Sequence, residues 1–308
     1  LVAACAATGT DYCDLTGEVQ WMARVIPEYV EQARDSGARI VHTCGFDSIP
    51  SDMGTWFLQQ QMIDRSGVPA ARVKARVGRN RGAASGGTVA SMINLMEEAR
   101  SDPSIRKLVG DPYALYPEGV APGQDKPDQQ GIRFDPDFHQ WTAPFVMAVV
   151  NTRVVRRTNA LLDFAWGEDF RYDEAVLCRS RFRARQLALA TGVGMAAMAL
   201  GPTRKLATRF LPSPGEGPNR KQREAGFYEI FFYGVHPTSR DDDVLVKVTG
   251  DMDPGYGSTS KMLGEAAACL AHDKLKVKGG FWTPASAMGP SLVERLTLRA
   301  GLTFEIVK

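Results

Sequence analysis

The chain has 308 residues, 44% of them hydrophobic and 23% charged, enough to bury a large core in one large or two ordinary domains and too apolar for a disordered protein. Lys and Arg number 37 against 35 Asp and Glu, so the formal charge of +2 provides no global field for nucleic acid or an acidic partner. Cys5, Cys13, Cys44, Cys178 and Cys269 are widely spaced without a C-x-x-C, and His42, His139, His236 and His272 are scattered; this argues against a disulfide framework or metal site and for a reducing cytoplasm.

Leu1 to Ala7 carries no basic leader and reads as the end of a helix closing at Thr8-Gly9. A chain opening inside an element leads us to expect further sequence upstream. Thr10 to Leu15 predicts a short strand, followed by Thr16-Gly17-Glu18. Val19 to Ser36 predicts a helix, with Trp21, Val25, Ile26, Tyr29 and Val30 at helical spacing and Gly37 as its stop. Arg39 to Thr43 is a β-branched run ending at Cys44-Gly45, which predicts a buried strand and a sharp turn. Asp47 or Ser48 can cap the following helix, Pro50 suits a position needing no donor, and Asp52 complements the positive helix end. Such alternation of helix and strand is the repeat of a doubly wound parallel sheet, whose ligands bind where strand C-termini meet helix N-termini. Asp14, Thr16, Gly17 and Glu18 fall at the carboxyl end of the first strand, where they either cap the next helix or meet a ligand.

Farther on, Val73, Ala75 and Val77 alternate with Arg72, Lys74 and Arg76, predicting a half-exposed strand. Gly78 to Gly87 reads as a glycine-rich loop, either a plain turn or an anion cradle, before a helix over Val89 to Arg100. Asp102 to Asp137 predicts an irregular covering segment, and Ala143 to Val155 a strand or buried helix. Phe227 to Val235 and Val244 to Gly250 predict paired antiparallel strands joined through His236 to Asp243. Helices over Thr259 to His272 and about Ser291 to Ala300 precede a closing strand, Leu302 to Val307.

Gln186 to Thr203 is uncharged, and its flanks within Arg179 to Arg223 hold Arg179, Arg181, Arg183, Arg185, Arg204, Lys205, Arg209, Arg220, Lys221 and Arg223 against one acid, Glu216. The run is too short and too rich in glycine to span a bilayer, which takes about 20 apolar residues. Two readings stand: a helix on an anionic membrane surface, or a buried helix between solvated arginines. Within it, Gly192-Val193-Gly194-Met195-Ala196-Ala197 matches G-x-G-x-x-A, but no β-branched strand precedes it and it is rejected as a cofactor loop.

Gly9-Thr10-Asp11-Tyr12-Cys13-Asp14-Leu15-Thr16-Gly17-Glu18, Cys44-Gly45-Phe46-Asp47-Ser48-Ile49-Pro50-Ser51-Asp52, Ser85-Gly86-Gly87-Thr88 and Asp253-Pro254-Gly255-Tyr256 resemble the saccharopine dehydrogenase-like oxidoreductases, above all the mycobacterial trans-acting enoyl reductases. Thr283-Pro284-Ala285-Ser286-Ala287-Met288-Gly289 and the helix over Leu292 to Gly301 extend the similarity to nearly the whole chain. The resemblance implies an α/β fold: a partial Rossmann-like parallel sheet (residues 1–63), an inserted α+β substrate domain with a mainly antiparallel sheet (64–258), and C-terminal helices returning to the first domain (259–308). The family's glycine-rich pyrophosphate loop has no counterpart after Leu1, and about 100 residues of an ordinary Rossmann half are expected upstream.

By the same resemblance the cofactor is NADP(H) or NAD(H), with NADPH favoured, and the reaction reduces enoyl intermediates made by a polyketide synthase for cell-envelope lipids. Asp14, Thr16, Gly17, Glu18, Cys44, Gly45, Phe46 and Ser48 are the expected cofactor-side residues; Asp47, Tyr12 and Tyr256 carry groups suited to proton donation. A non-catalytic, membrane- or lipid-associated relative, peripheral at the inner face of the plasma membrane, is the alternative. A homodimer is admitted; nucleic acid is not.

Overall fold

The computed structural model describes residues 1–82, 86–199 and 216–307. Helix α1 (Val2–Thr8) stops at Gly9, whose φ of 71° only glycine adopts cheaply, and packs beside α2 (Val19–Ser36). Between and after them run strands β1 (Tyr12–Cys13) and β2 (Arg39–Val41), which pair in parallel. Far along the chain, Gly280–Trp282 supplies the third parallel strand of this sheet, in the order first, second, third. Ala6, Val25, Ala33, Ile40 and Phe281 close a small core around it.

Helix α3 (Ile49–Ser66) leaves this sheet and joins it to the rest of the molecule. Its N-terminal Ile49 and Met53 belong to one core, its C-terminal Leu58 and Met62 to another beneath a seven-stranded sheet. That sheet contains β3 (Arg72–Arg81), β4 (Arg133–Asp135), β5 (Gln140–Ala143), β6 (Arg171–Cys178), β7 (Phe227–Val235) and β8 (Val244–Gly250), and with the parallel strand β9 (Gly280–Trp282) already placed elsewhere, its last member is β10 (Leu302–Ile306). The spatial order is β10-β8-β7-β3-β6-β5-β4; β3 and β6 pair in parallel and every other neighbouring pair is antiparallel. The chain is thus α/β, a small parallel sheet beside a mainly antiparallel one.

The remaining helices are α4 (Gly86–Ser101), α5 (Pro103–Gly110), α6 (Ala148–Leu161), α7 (Arg181–Ala199), α8 (Arg220–Glu224), α9 (Gly257–His272) and α10 (Pro284–Arg299). Helix α10 begins earlier than its apolar spacing suggests, because a capping box between Thr283 and Ser286 starts a first segment that Gly289, at φ 41° and ψ −122°, separates from the rest.

Three local expectations are corrected, and the rejection of the glycine motif as a cofactor loop agrees with the helix found there. Strand β3 is not half-exposed: Lys74 and Arg76 are buried, Lys74 bonded to Asp135 and Asp137, Arg76 to Asp135 and Asp173. The supposed glycine loop is shorter, since Gly78 to Arg81 continue β3 against β7; Ser85 lies outside the described residues. The covering segment is not wholly irregular, for it contains α5 and β4. Helix α7 runs through the decoy glycine motif, which is therefore no loop. The stretch 200–215, with Arg204, Lys205 and Arg209, lies outside the described residues.

Candidate functional site

The parallel strands end in a crevice. After β1, the Asp14 Oδ1 accepts the N–H groups of Thr16 (3.1 Å) and Thr43 (3.3 Å), while Oδ2 accepts His42 Nδ1 at 2.7 Å. Those bonds fix the turn Leu15-Thr16-Gly17-Glu18 against the end of β2, where Thr43 takes a left-handed φ of 63°. Asp14 is consequently occupied in shaping the crevice. The His42 ring is packed among Tyr12, Trp21 and Phe281, and its Nε2 has no partner among the described residues.

The following turn behaves differently from an ordinary helix start. Neither Asp47 nor Ser48 caps α3. The buried Ser48 hydroxyl donates to Asn151 Oδ1 at 2.8 Å; Asn151 Nδ2 donates to Glu174, which also accepts the Tyr172 hydroxyl at 2.6 Å. Asp47 makes no side-chain hydrogen bond among the described residues, and a Cβ placed on Gly17 would stand 3.4 Å from its Oδ2. Removal from water pushes the Asp47 carboxyl up to about 7.

Thr16, Gly17, Glu18 and Asp47 converge on a cavity of about 710 Å³ whose other walls come from α4, α5, α6 and α7 and from Pro127 to Gln130 and Pro144 to Met147. The volume lies within the range of about 300–1,000 Å³ typical of small-molecule sites. Met92, Leu95, Phe145, Val146, Met147 and Met195 make it predominantly apolar; its charged groups are Asp47, Glu18, Arg106 and the Arg153–Asp128 pair, with Thr88, Ser91, Gln129, Gln130 and Thr191 as neutral polar groups. Burial raises the Glu18 carboxyl, an effect the Ser91 hydroxyl of α4 partly offsets. Helix α7 lines the cavity through Ala188, Thr191, Gly192 and Met195, which accounts for the small residues of that run.

The other expected residues lie elsewhere. Cys44 is fully buried, Gly45 packs against Thr259 and Leu15, and Phe46 donates its N–H to Thr259 Oγ1 (3.0 Å) with its ring on Tyr228. Tyr12 leans on His42 outside the cavity lining, its phenol raised by burial and by Asp14. Tyr256 precedes α9 and donates its hydroxyl to the Glu216 carbonyl at 2.9 Å, also away from the cavity. Sequence reasoning missed Arg153, Asp128, Asn151 and Glu174. Their signal was present in Arg153, Arg156 and Arg157, a cationic run inside an otherwise apolar helix, where each charge demands a partner.

No family model matches the chain. A protein of Mycobacterium tuberculosis H37Rv, provisionally named a trans-acting enoyl reductase, is 42% identical over all of this chain and 76% of its own length. The trans-acting enoyl reductase of Mycobacterium ulcerans is 40% identical over 96% of this chain and 74% of its own, and one from Mycobacterium bovis BCG is 38% identical over the same shares. At that identity and coverage, the chain belongs to the trans-acting enoyl reductase family.

Proposed function

We propose that the chain is an NAD(P)-dependent enoyl reductase, with NADPH favoured, acting on thioester-linked enoyl intermediates of polyketide or lipid synthesis. The carrying observation is the convergence of Thr16, Gly17, Glu18 and Asp47, from the ends of two parallel strands, on one apolar cavity. The residues present fit a nicotinamide: the crevice lies beyond the carboxyl ends of parallel strands, and at Gly17 a side chain would fill the space before Asp47. Asp14 holds the turn, and Thr16 and Gly17 would border the bound cofactor, which supplies hydride to the β-carbon of the conjugated alkene.

The protein's own chemistry follows from Asp47. A carboxyl raised to about 7 is protonated in about half of the molecules at neutral pH, and that form can deliver its proton to the α-carbon as negative charge develops there. The apolar walls accept the acyl chain and exclude water from that proton. Cys44, Gly45, Phe46 and Ser48 act behind the crevice by fixing its shape, and Tyr12 and Tyr256 are assigned no proton transfer. Kinship with saccharopine dehydrogenase-like proteins, residues 1–63 as a Rossmann remnant, and presentation of substrate by a polyketide synthase belong to the same reading.

The test is oxidation of NADPH by the full chain with an α,β-unsaturated acyl thioester, against the saturated thioester as control. Turnover with the unsaturated compound alone supports the proposal; no turnover with any enoyl thioester, by a longer form as well, rejects it.

A second reading, a peripheral lipid-associated protein, draws on α7, which turns Phe182, Leu189 and Val193 outward beside Arg181 and Arg183. No described helix is long and apolar enough to cross a membrane. Co-sedimentation with anionic vesicles that is unchanged by charge reversal at Arg181 and Arg183 counts against it.

A further inference from the structure

Helix α6 buries three arginines, each at most 5% exposed. Two are neutralised: Arg153 by Asp128 and Arg156 by Asp125. Arg157 is not. Its guanidinium donates to the backbone carbonyls of Leu115 (2.6 Å) and Phe281 (3.1 Å) and forms no ion pair among the described residues. A buried cation with only neutral acceptors is costly, since carbonyl dipoles replace part of its hydration and none of its countercharge. The cost is aggravated by a like charge, Arg34, which with burial lowers Arg157 to about 10 and still leaves it cationic at neutral pH.

Arg157 opens onto a second hollow, of about 470 Å³, between α2, the 114–118 segment and β9. Ile26, Val30, Leu161 and Phe281 form an apolar side, and Glu31, Arg34, Glu118 and Arg157 a charged one. Its acids, Glu31 and Glu118, are exposed at the rim, and Glu31 is already paired with Arg34 at 2.5 Å. Beside Arg34 lies a further recess that carries Lys276 and Lys278 against one acid, Asp163, so the approach is net cationic. A buried guanidinium without an ion pair among the described residues, beside the apolar side of a ligand-sized hollow, is the arrangement that selects an anionic head on an apolar body.

We propose that this hollow is a binding site, separate from the reductase cavity, for an amphipathic organic anion whose carboxylate or phosphate pairs with Arg157 and whose apolar part lies along α2. The site shares α6 with the reductase cavity, Arg153 facing one and Arg157 the other, and α2, whose Val30 lines this site, begins directly after Glu18 of that cavity. Neither the enoyl reductase reading nor the nicotinamide is needed for it.

Titration calorimetry on the full chain with octanoate, octyl phosphate and octanol tests the site. One or both anions should bind with unit stoichiometry, at least tenfold more tightly than octanol, and the tighter of the two identifies the head group. Arg157→Gln should weaken the anion at least tenfold. Because that variant removes two backbone contacts and can fail to fold, Val30→Phe provides the second arm: it fills the hollow, leaves Arg157 in place and should abolish binding. Absence of binding by both anions, equal binding of octanol, or anion affinity unchanged in Val30→Phe, which would place the ligand in the reductase cavity, overturns the proposal.

Discussion

The carboxylate of Asp52 accepts the backbone N–H of Ala285 at 2.8 Å, across 233 positions of sequence. It also accepts the Thr158 hydroxyl, so one fully buried acid ties the first turns of α3 and α10 to α6. Asp52→Ala strands the Ala285 N–H, leaves the Thr158 hydroxyl only the Val154 carbonyl and the Thr283 hydroxyl, opens a buried space, and is expected to cost about 2–4 kcal/mol. Asp52→Asn keeps an acceptor for Ala285 and should cost less than half as much. Urea denaturation of the two variants checks this, and equal losses would show that hydrogen bonding is not what the position supplies.

Asp47 couples activity to pH. As the proposed proton donor it must be protonated, so kcat should fall as pH rises above about 7, and Asp47→Asn should lower kcat by about 10²–10⁴-fold and remove that limb. Stability should follow the same group. Its folded pKa is raised from 3.8 to about 7, so between those values the native state binds more protons than the unfolded chain and stability falls with rising pH. At one pKa unit per 1.36 kcal/mol the full shift corresponds to on the order of 4 kcal/mol, and because Asp47 is only partly buried and borders the cavity, screening brings the loss below that. Urea midpoints at pH 5 and pH 8 should converge in Asp47→Asn relative to wild type; an unchanged difference would assign the pH dependence to Asp52, which burial also raises to about 7.

The contrast between Asp47 and Asp52 shows what the sequence could reveal. Strand, glycine turn and helix were all legible around Cys44-Gly45, because β-branched runs, glycine stops and proline at a helix start act locally. The same local logic assigned Asp47 or Ser48 to capping α3 and Asp52 to its positive end; Asp52 does sit in that first turn, but all three side chains serve distant elements: the cavity, Asn151 on α6, and Ala285 on α10. β9 was missed because three residues, Gly280–Trp282, gain strand geometry only from pairing with β2. The cavity itself was not legible, since its walls come from segments scattered between Leu15 and Met195 whose meeting is fixed by tertiary packing.

Arg76 makes the corresponding point for the larger sheet. Alternation marked it as solvent-facing, but it is 4% exposed and held by Asp135 and Asp173. Arg76→Met leaves buried carboxylate charge behind and is expected to cost about 3–5 kcal/mol. Adding Asp135→Leu should recover part of that loss, as read from urea midpoints. A single-variant effect below about 1 kcal/mol would mean that the pair behaves like an exposed one.

Gly54 sets how closely α3 approaches the large sheet. A Cβ at this position would lie 2.5 Å from two atoms of the Phe232 ring, and Phe232 is itself fully buried on β7. Gly54→Ala would raise helix propensity by roughly 1 kcal/mol, yet the clash must move either the ring or the helix, and overpacking costs about 1–3 kcal/mol or more. Net destabilisation is therefore expected. Because α3 also carries the turn that presents Asp47, the shift should lower kcat as well. Combining Gly54→Ala with Phe232→Leu makes room for the new methyl group and should restore more stability than the sum of the single effects allows. Additivity in that double-mutant cycle would show that the ring is not what the glycine accommodates.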